Sequence, residues 1–423
     1  MRTSGATGLS TPAGIALYVG ALLGPSLLLL PGLAARIAGP ASLVAWLLLL
    51  ALSGLLAWVF MVLGRCLPGV DGVVGYARAG FGPGRVGAAA ARVVGWCFLA
   101  GVVLAAPLVC LIGAGYVADL VDGGSTAVVL IAGGLLAVVL AMTMAGRAVR
   151  GGVQLGLVAV LVALVVVAVL GAAPQARAEH WTPFAPHGWG SVGRAAAVLM
   201  LSFVGWEAIS PLIARLRDPG RQLPRIIGAA FGVTVLVYLG LAVVTVGVLG
   251  AGAGTGVPLA DLLDVALGGT GRYLAAAAAA ALTLAATNAY ISGATELAGR
   301  LRRTARPARR VHRVPLAIAG LGLVELALVG SGLSSLDALV AVPTAMFVTV
   351  YAIATAAAVR LTAGATRVAA GLACSLVVVI LGFSGWALLA VAAVAVVAAL
   401  GAARKPHRPP PLDPAHPELC GSR

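Results

Sequence analysis

The chain has 423 residues, 61% of them hydrophobic and 10% charged, with a mean hydropathy of +1.07 and a formal net charge of +15. That is more apolar surface than one soluble core hides, so the composition excludes an ordinary soluble domain and points to an integral membrane protein. The five cysteines show no CxxC or paired spacing and read as small core residues, and the five histidines stand apart, so neither a disulfide framework nor a metal site is implied.

In chain order, residues 1–10 form a short polar tail with no small-residue cleavage site after the first apolar run, unlike a removable signal peptide. About 20 apolar residues cross a bilayer. On that ruler twelve spans are expected, at 13–37, 41–63, 86–119, 127–146, 153–172, 192–213, 226–250, 273–297, 314–329, 333–358, 368–381 and 385–402. With the N-terminus inside, all but four of the 28 basic residues fall on the inner face. The four are Arg36, Arg177, Arg194 and Arg272, and the outer loops also hold Asp119, Asp122, Glu179, Asp261 and Asp264. This asymmetry follows the positive-inside rule, places both termini in the cytoplasm and accounts for the basic charge without nucleic acid.

The first span is interrupted by Gly20 and by Gly24-Pro25-Ser26, with Pro31-Gly32 beyond. Pro25 lacks an amide hydrogen and crowds the preceding turn, so a broken helix is expected, although a simple kink fits the same residues. The connection from Gly64 to Gly84, rich in glycine and proline, reads as a structured inner loop or re-entrant segment. The sixth span, within 201–224 (LSFVGWEAISPLIARLRDPGRQLP), carries Ser202, Gly205 and an ionisable Glu207 at membrane depth. Interrupted helices five spans apart point to an inverted-repeat transporter whose half-helix ends hold substrate near the midplane.

Freed amides of such a break, with the half-helix dipole, suit a carboxylate. Freed carbonyls around Leu22, Leu23 and Gly24, and around Ser202 and Phe203, suit an ammonium. Phe203 and Trp206 are candidate pocket walls or gates. Glu207 is the candidate coupling carboxylate, with a permanently protonated brace as the alternative. Glu325 in span nine reads equally as a buried structural acid or a relay, and Asp337 begins span ten on the outer side. In span eight, Thr283, Thr287, Asn288, Ser292 and Thr295 form one stripe, read as interhelical contacts, or, as the resemblance given below implies, as an ion site. Span five has no lysine or arginine to replace a sodium ion, and a proton is the simpler coupling ion.

These features resemble the amino acid, polyamine and organocation (APC) superfamily. Phe203, Gly205 and Glu207, followed by Asp218-Pro219, Arg221 and Pro224, are similar to that family's sixth span and its exit. The 64–82 connection and the 201–224 block most resemble the bacterial exporters of methionine and branched-chain amino acids. The resemblance implies a five-plus-five inverted repeat at 11–173 and 174–360, two added spans at 361–403 and a disordered cytoplasmic tail at 404–423. The family's Gly-x-Gly break falls on Gly24, Pro25 and Ser26, so a serine stands where the second glycine is expected.

The expected function is secondary active transport of small neutral amino acids across the cytoplasmic membrane, proton-coupled and outward, with membrane lipids as surroundings. An importer or exchanger of the same superfamily, or a channel-like or non-transporting membrane protein, is the alternative. No nucleophile and base, HExxH, GxSxG or carboxylate dyad is present in the spans, so neither an enzyme nor a cofactor is expected. The arginines from Arg300 to Arg313 read first as a topology anchor, and otherwise as an anionic-lipid or nucleic-acid patch.

Overall fold

The computed structural model describes residues 9–67, 72–147, 149, 151–206, 213, 216–254, 256–302 and 313–403, without the side chains of 300–302 and 399–403. Helix is the regular structure among them, apart from one isolated bridge between Leu9 and Leu216. In order these are α1 (Thr11–Leu22), α2 (Ser26–Ala38), α3 (Ser42–Cys66), α4 (Gly72–Phe81), α5 (Arg85–Asp119), α6 (Ser125–Met144), α7 (Gly151–Ala172) and α8 (Gly190–Leu199). They continue with α9 (Pro219–Val244), α10 (Pro258–Leu267), α11 (Gly269–Arg302), α12 (Arg313–Gly330), α13 (Leu336–Leu361), α14 (Gly364–Gly382) and α15 (Ala387–Ala403). Among the described residues nine helical stretches are long and apolar enough to cross a membrane, and three shorter apolar helices accompany them. The chain is thus an all-α, multi-pass membrane protein.

Helix is what lipid requires, because each backbone polar group must be paired within its own segment. The exceptions fall where the sequence withdraws a donor. Pro25 has no amide hydrogen to give the Ala21 carbonyl, so α1 ends at Leu22 and α2 restarts at Ser26. Downstream, α8 tightens into a 3-10 turn over Met200–Phe203, and the chain then extends at Val204 and turns at Gly205 with φ +145.

Helix α9 begins before its apolar run because Asp218 caps it, accepting from the Arg221 amide at 3.3 Å, with Pro219 in the first turn. Gln222 then ties this corner to the start of α1, donating to the Leu9 carbonyl at 3.1 Å and Thr11 Oγ1 at 3.3 Å. The 64–84 connection contains α4, which packs on α5 and α13, with the Arg360 guanidinium 4.5 Å from the centre of the Phe81 ring. Residues 68–71 of that connection, residues 1–8, most of the arginine run and the 404–423 tail lie outside the described residues.

With lipid outside, helix association rests on close packing and on buried polar contacts. Gly80 meets Ala357, and a side chain on Gly113 would collide with Thr283. One departure concerns the cysteines. Cys66 is disulfide-bonded, which its isolated place in the sequence gave no reason to expect, whereas Cys97 and Cys110 are buried thiols.

Three of the four arginines read as outer have acidic partners read on the same side. Arg272 contacts Asp119 at 2.6 Å, Asp261 at 2.9 Å and Asp264 at 3.1 Å, tying α11 to α5 and α10. Arg36 pairs with Asp337 at 3.1 Å, and Arg177 with Glu179 at 3.4 Å. Burial holds the Asp261 carboxyl above the usual carboxylate range, with Arg272 opposing that shift.

Candidate substrate site at two broken helices

The two interruptions meet. A Cβ on Gly205 would lie 2.8 Å from the Ala21 carbonyl oxygen, so the sixth-span break presses backbone to backbone on the first. Glycine permits both that approach and the positive φ.

Each break releases carbonyls into an apolar interior, where an unpaired acceptor is costly. Tyrosine hydroxyls take up several of them. Tyr238 of α9 lies 3.3 Å from the Leu22 carbonyl and 3.1 Å from that of Ser202, so one hydroxyl spans both breaks. Tyr351 of α13 accepts from the Gly205 amide at 3.1 Å and donates to the Phe203 carbonyl at 3.3 Å. Tyr18 of α1 donates to the Trp206 carbonyl at 3.1 Å. All three tyrosines are 1% exposed or less. These tyrosines lie off the breaks, where no motif of the sequence marks them. The available signal was a phenol inside an apolar run, which must find a partner when buried.

Of the expected site residues, Leu23, Ser202, Phe203 and Trp206 are buried, whereas Gly24 and Ser26 keep partial exposure. Phe203 packs on Trp46 and Tyr238, with ring centres at 6.1 and 5.6 Å. Trp206 meets Tyr18 at 5.5 Å, and its indole nitrogen donates to Ser53 at 2.8 Å. Both aromatics therefore seal the junction in this conformation. Ser202 Oγ is buried without a hydrogen-bond partner among the described residues. Ser26 lies beside the Tyr238 hydroxyl, and a Cβ on Gly24 would be 3.6 Å from the Tyr290 hydroxyl of α11. Glu207 lies outside the described residues.

The α11 stripe faces elsewhere. Thr287 is 3.8 Å from Cys110 of α5, and Thr283 donates to the Val109 carbonyl at 3.4 Å. Asn288 accepts from the Val149 amide at 3.0 Å and donates to Thr143 and to the Arg147 carbonyl, each at 3.3 Å. These groups fasten α11 to α5 and to the connection between α6 and α7. A separate cavity of about 210 Å³ lies farther along α2, between Leu29 and Arg36, and reaches Gly254, Pro258 and Leu336.

The described residues thus set the end of α1 against the interruption after α8, inside an all-α multi-pass membrane protein. Residues 9–407 match the amino acid permease family, and the chain belongs to that family, within the APC superfamily. It is 31% identical over 397 residues to the uncharacterized amino acid permease YecA of Bacillus subtilis, covering 89% of this chain and 91% of that one. It is 28% identical over 397 residues to the L-methionine/branched-chain amino acid exporter YjeH of Escherichia coli, covering 90% and 92%. A shorter match, 23% over 268 residues and 56% of each chain, is to the branched-chain amino acid permease BcaP of Lactococcus lactis. The family makes the chain an amino acid transporter and not an enzyme.

Proposed function

We propose that this permease is a secondary active carrier of small neutral amino acids, working by alternating access across the cytoplasmic membrane. The observation that carries the reading is the junction of the two breaks, where the Leu22 and Ser202 carbonyls converge on one phenolic hydroxyl. Neutral carbonyl acceptors suit the substrate ammonium, and the partly exposed Gly24 and Ser26 suit its carboxylate. Leu22, Leu23, Phe203 and Trp206 supply apolar walls, which favours an uncharged side chain. The substrate set is then Leu23, Gly24, Ser26, Ser202, Phe203, Gly205 and Trp206, with Glu207 carrying the coupling proton.

The fold reading is five plus five inverted repeats with two added helices, twelve passes and both termini inside. The pairing of Arg36 and Arg272 with acids supports grouping those loops on one face, and the excess of arginine on the other face favours placing that one inside. Outward transport follows the exporter among the relatives, and specificity for methionine or branched side chains is taken from the same likeness.

Proteoliposome counterflow tests the reading: unlabelled leucine or methionine inside, labelled substrate outside, with and without an imposed pH gradient. Saturable exchange that responds to the gradient is expected, with Glu207→Gln losing the response. Folded protein without counterflow for any neutral amino acid would overturn the substrate class, and a flux that never saturates would favour a channel.

A further inference from the structure

Glu325 lies in the interior of α12 and is 6% exposed. Its Oε2 is buried with no hydrogen-bond partner among the described residues. A carboxyl at the centre of a span costs roughly 3 kcal/mol on insertion scales. A purely bracing acid would recover part of that through hydrogen bonds, which this oxygen does not make.

Scattered polar groups lie in the apolar cluster around it. Gly322, one turn earlier, lets α12 settle against Pro107 of α5 and Leu136 of α6. Pro107 gives no amide hydrogen to the Val103 carbonyl, leaving that acceptor outside the α5 ladder. Cys110, one turn along α5, lies within electrostatic range of Glu325, and its sulfur is 3.8 Å from Thr287 Oγ1. The next residue, Asn288, bonds Thr143, the Arg147 carbonyl and the Val149 amide at the connection between α6 and α7. The titratable group of α5 within electrostatic range of Glu325 is Cys110. Helix α6 carries none, and on α11 the member of the same cluster is Tyr290.

We propose that Glu325 is a second proton-binding site of this carrier, loaded and unloaded past the Cys110 thiol and the Thr287 hydroxyl, with Asn288 fixing the α6–α7 end of the bundle beside them. The inference rests on the transport reading above and adds a site to the one given to Glu207. The carboxyl holds its proton while the helices enclose it, since a lone carboxylate is disfavoured there. It releases the proton when α5, α11 and α12 shift and admit water to the cluster.

The test is the concentration ratio that reconstituted protein builds from a one-unit pH gradient at zero membrane potential. Each proton moved with a neutral substrate turns that gradient into an about tenfold ratio, so two sites give about a hundredfold. Glu325→Gln is expected to keep counterflow and to lower the ratio about tenfold, and Cys110→Ala with Thr287→Val to slow the approach to it. A Glu325→Gln ratio equal to that of the unaltered protein, with counterflow intact, would overturn the inference and leave the transport reading standing. Absence of counterflow in the unaltered protein would instead remove both.

Should Glu325→Gln not insert, dicyclohexylcarbodiimide, which modifies protonated carboxyls in apolar surroundings, is applied to the unaltered protein. An adduct on the peptide containing Glu325, declining as pH rises, is expected. No adduct at any pH the protein tolerates overturns the proton site.

Discussion

Gly205 rests on the backbone of Ala21, so the interruption of one span is stacked on the interruption of another across most of the first half of the chain. Neither break is an independent kink. The carbonyl that Pro25 releases at Ala21 meets the glycine at which the sixth span turns, and a change at either strains both.

Gly205→Ala should therefore damage both stability and transport. The added methyl would meet the Ala21 oxygen at 2.8 Å, and alanine would have to adopt φ +145. Strain of this kind costs about 1–3 kcal/mol before any repacking. Thermal unfolding in detergent should show a lower Tm, and counterflow should fall at least tenfold. Unaltered values in both would mean that the junction tolerates a separation of the two breaks.

Tyr238→Phe keeps the ring between Trp46 and Phe203 and removes only the hydroxyl. The carbonyls of Leu22 and Ser202 then lose a buried donor, at about 1–3 kcal/mol. The expected outcome is a lower Tm and a shift in apparent substrate affinity, because the same carbonyls are proposed to receive the ammonium. Tyr290→Phe, on α11 beside Gly24, serves as the comparison.

On the outer face, magnitude separates two ion pairs. Arg272 holds three carboxylates and is one-third exposed, so Arg272→Gln should cost about 2 kcal/mol, between the ranges for exposed and buried pairs. Arg36 and Asp337 make one contact at 46% and 33% exposure, and Arg36→Gln should cost less than about 1 kcal/mol. Parallel thermal unfolding of the two variants checks the order.

The same cluster sets a pH dependence. Asp261 is held above its ordinary value of 3.8, so its folded form favours the proton. Its contribution is complete below that ordinary value and is lost as pH rises through the raised one. Asp261→Asn, which cannot titrate, should flatten this part of the stability profile between neutrality and acid. Identical slopes for variant and parent would remove Asp261 as the source.

Asn288 anchors the end of α6 through Thr143 and the connection to α7 through Arg147 and Val149. Asn288→Ala should loosen it and speed limited trypsin cleavage at the exposed Arg147 relative to the parent. If Asn288 were instead free to hold an ion, alanine would alter sodium dependence and leave the digestion pattern unchanged.

Residue order alone was enough to determine the class and the lengths of the apolar segments, because the bilayer allows few ways to pair a backbone. It also determined the first break, because Pro25 removes a specific donor, and the sixth through Gly205 and its neighbours. The Asp218-Pro219 corner was legible only as a likeness to the family's exit, and that Asp218 caps a helix starting ahead of the expected span emerged in the fold. What the sequence could not reveal was which groups would answer the broken ends. Tyr18, Tyr238 and Tyr351 sit on three helices far apart in the chain, and no local spacing predicts that their hydroxyls converge on the carbonyls of Leu22, Ser202, Phe203 and Trp206. The direction of the α11 stripe was open for the same reason. A polar face on a helix does not name its neighbour, and only packing turned Thr287 toward Cys110 and Asn288 toward Val149. Periodicity and hydropathy act along the chain, whereas satisfying a freed carbonyl depends on which donors the folded bundle brings within 3 Å or so of it.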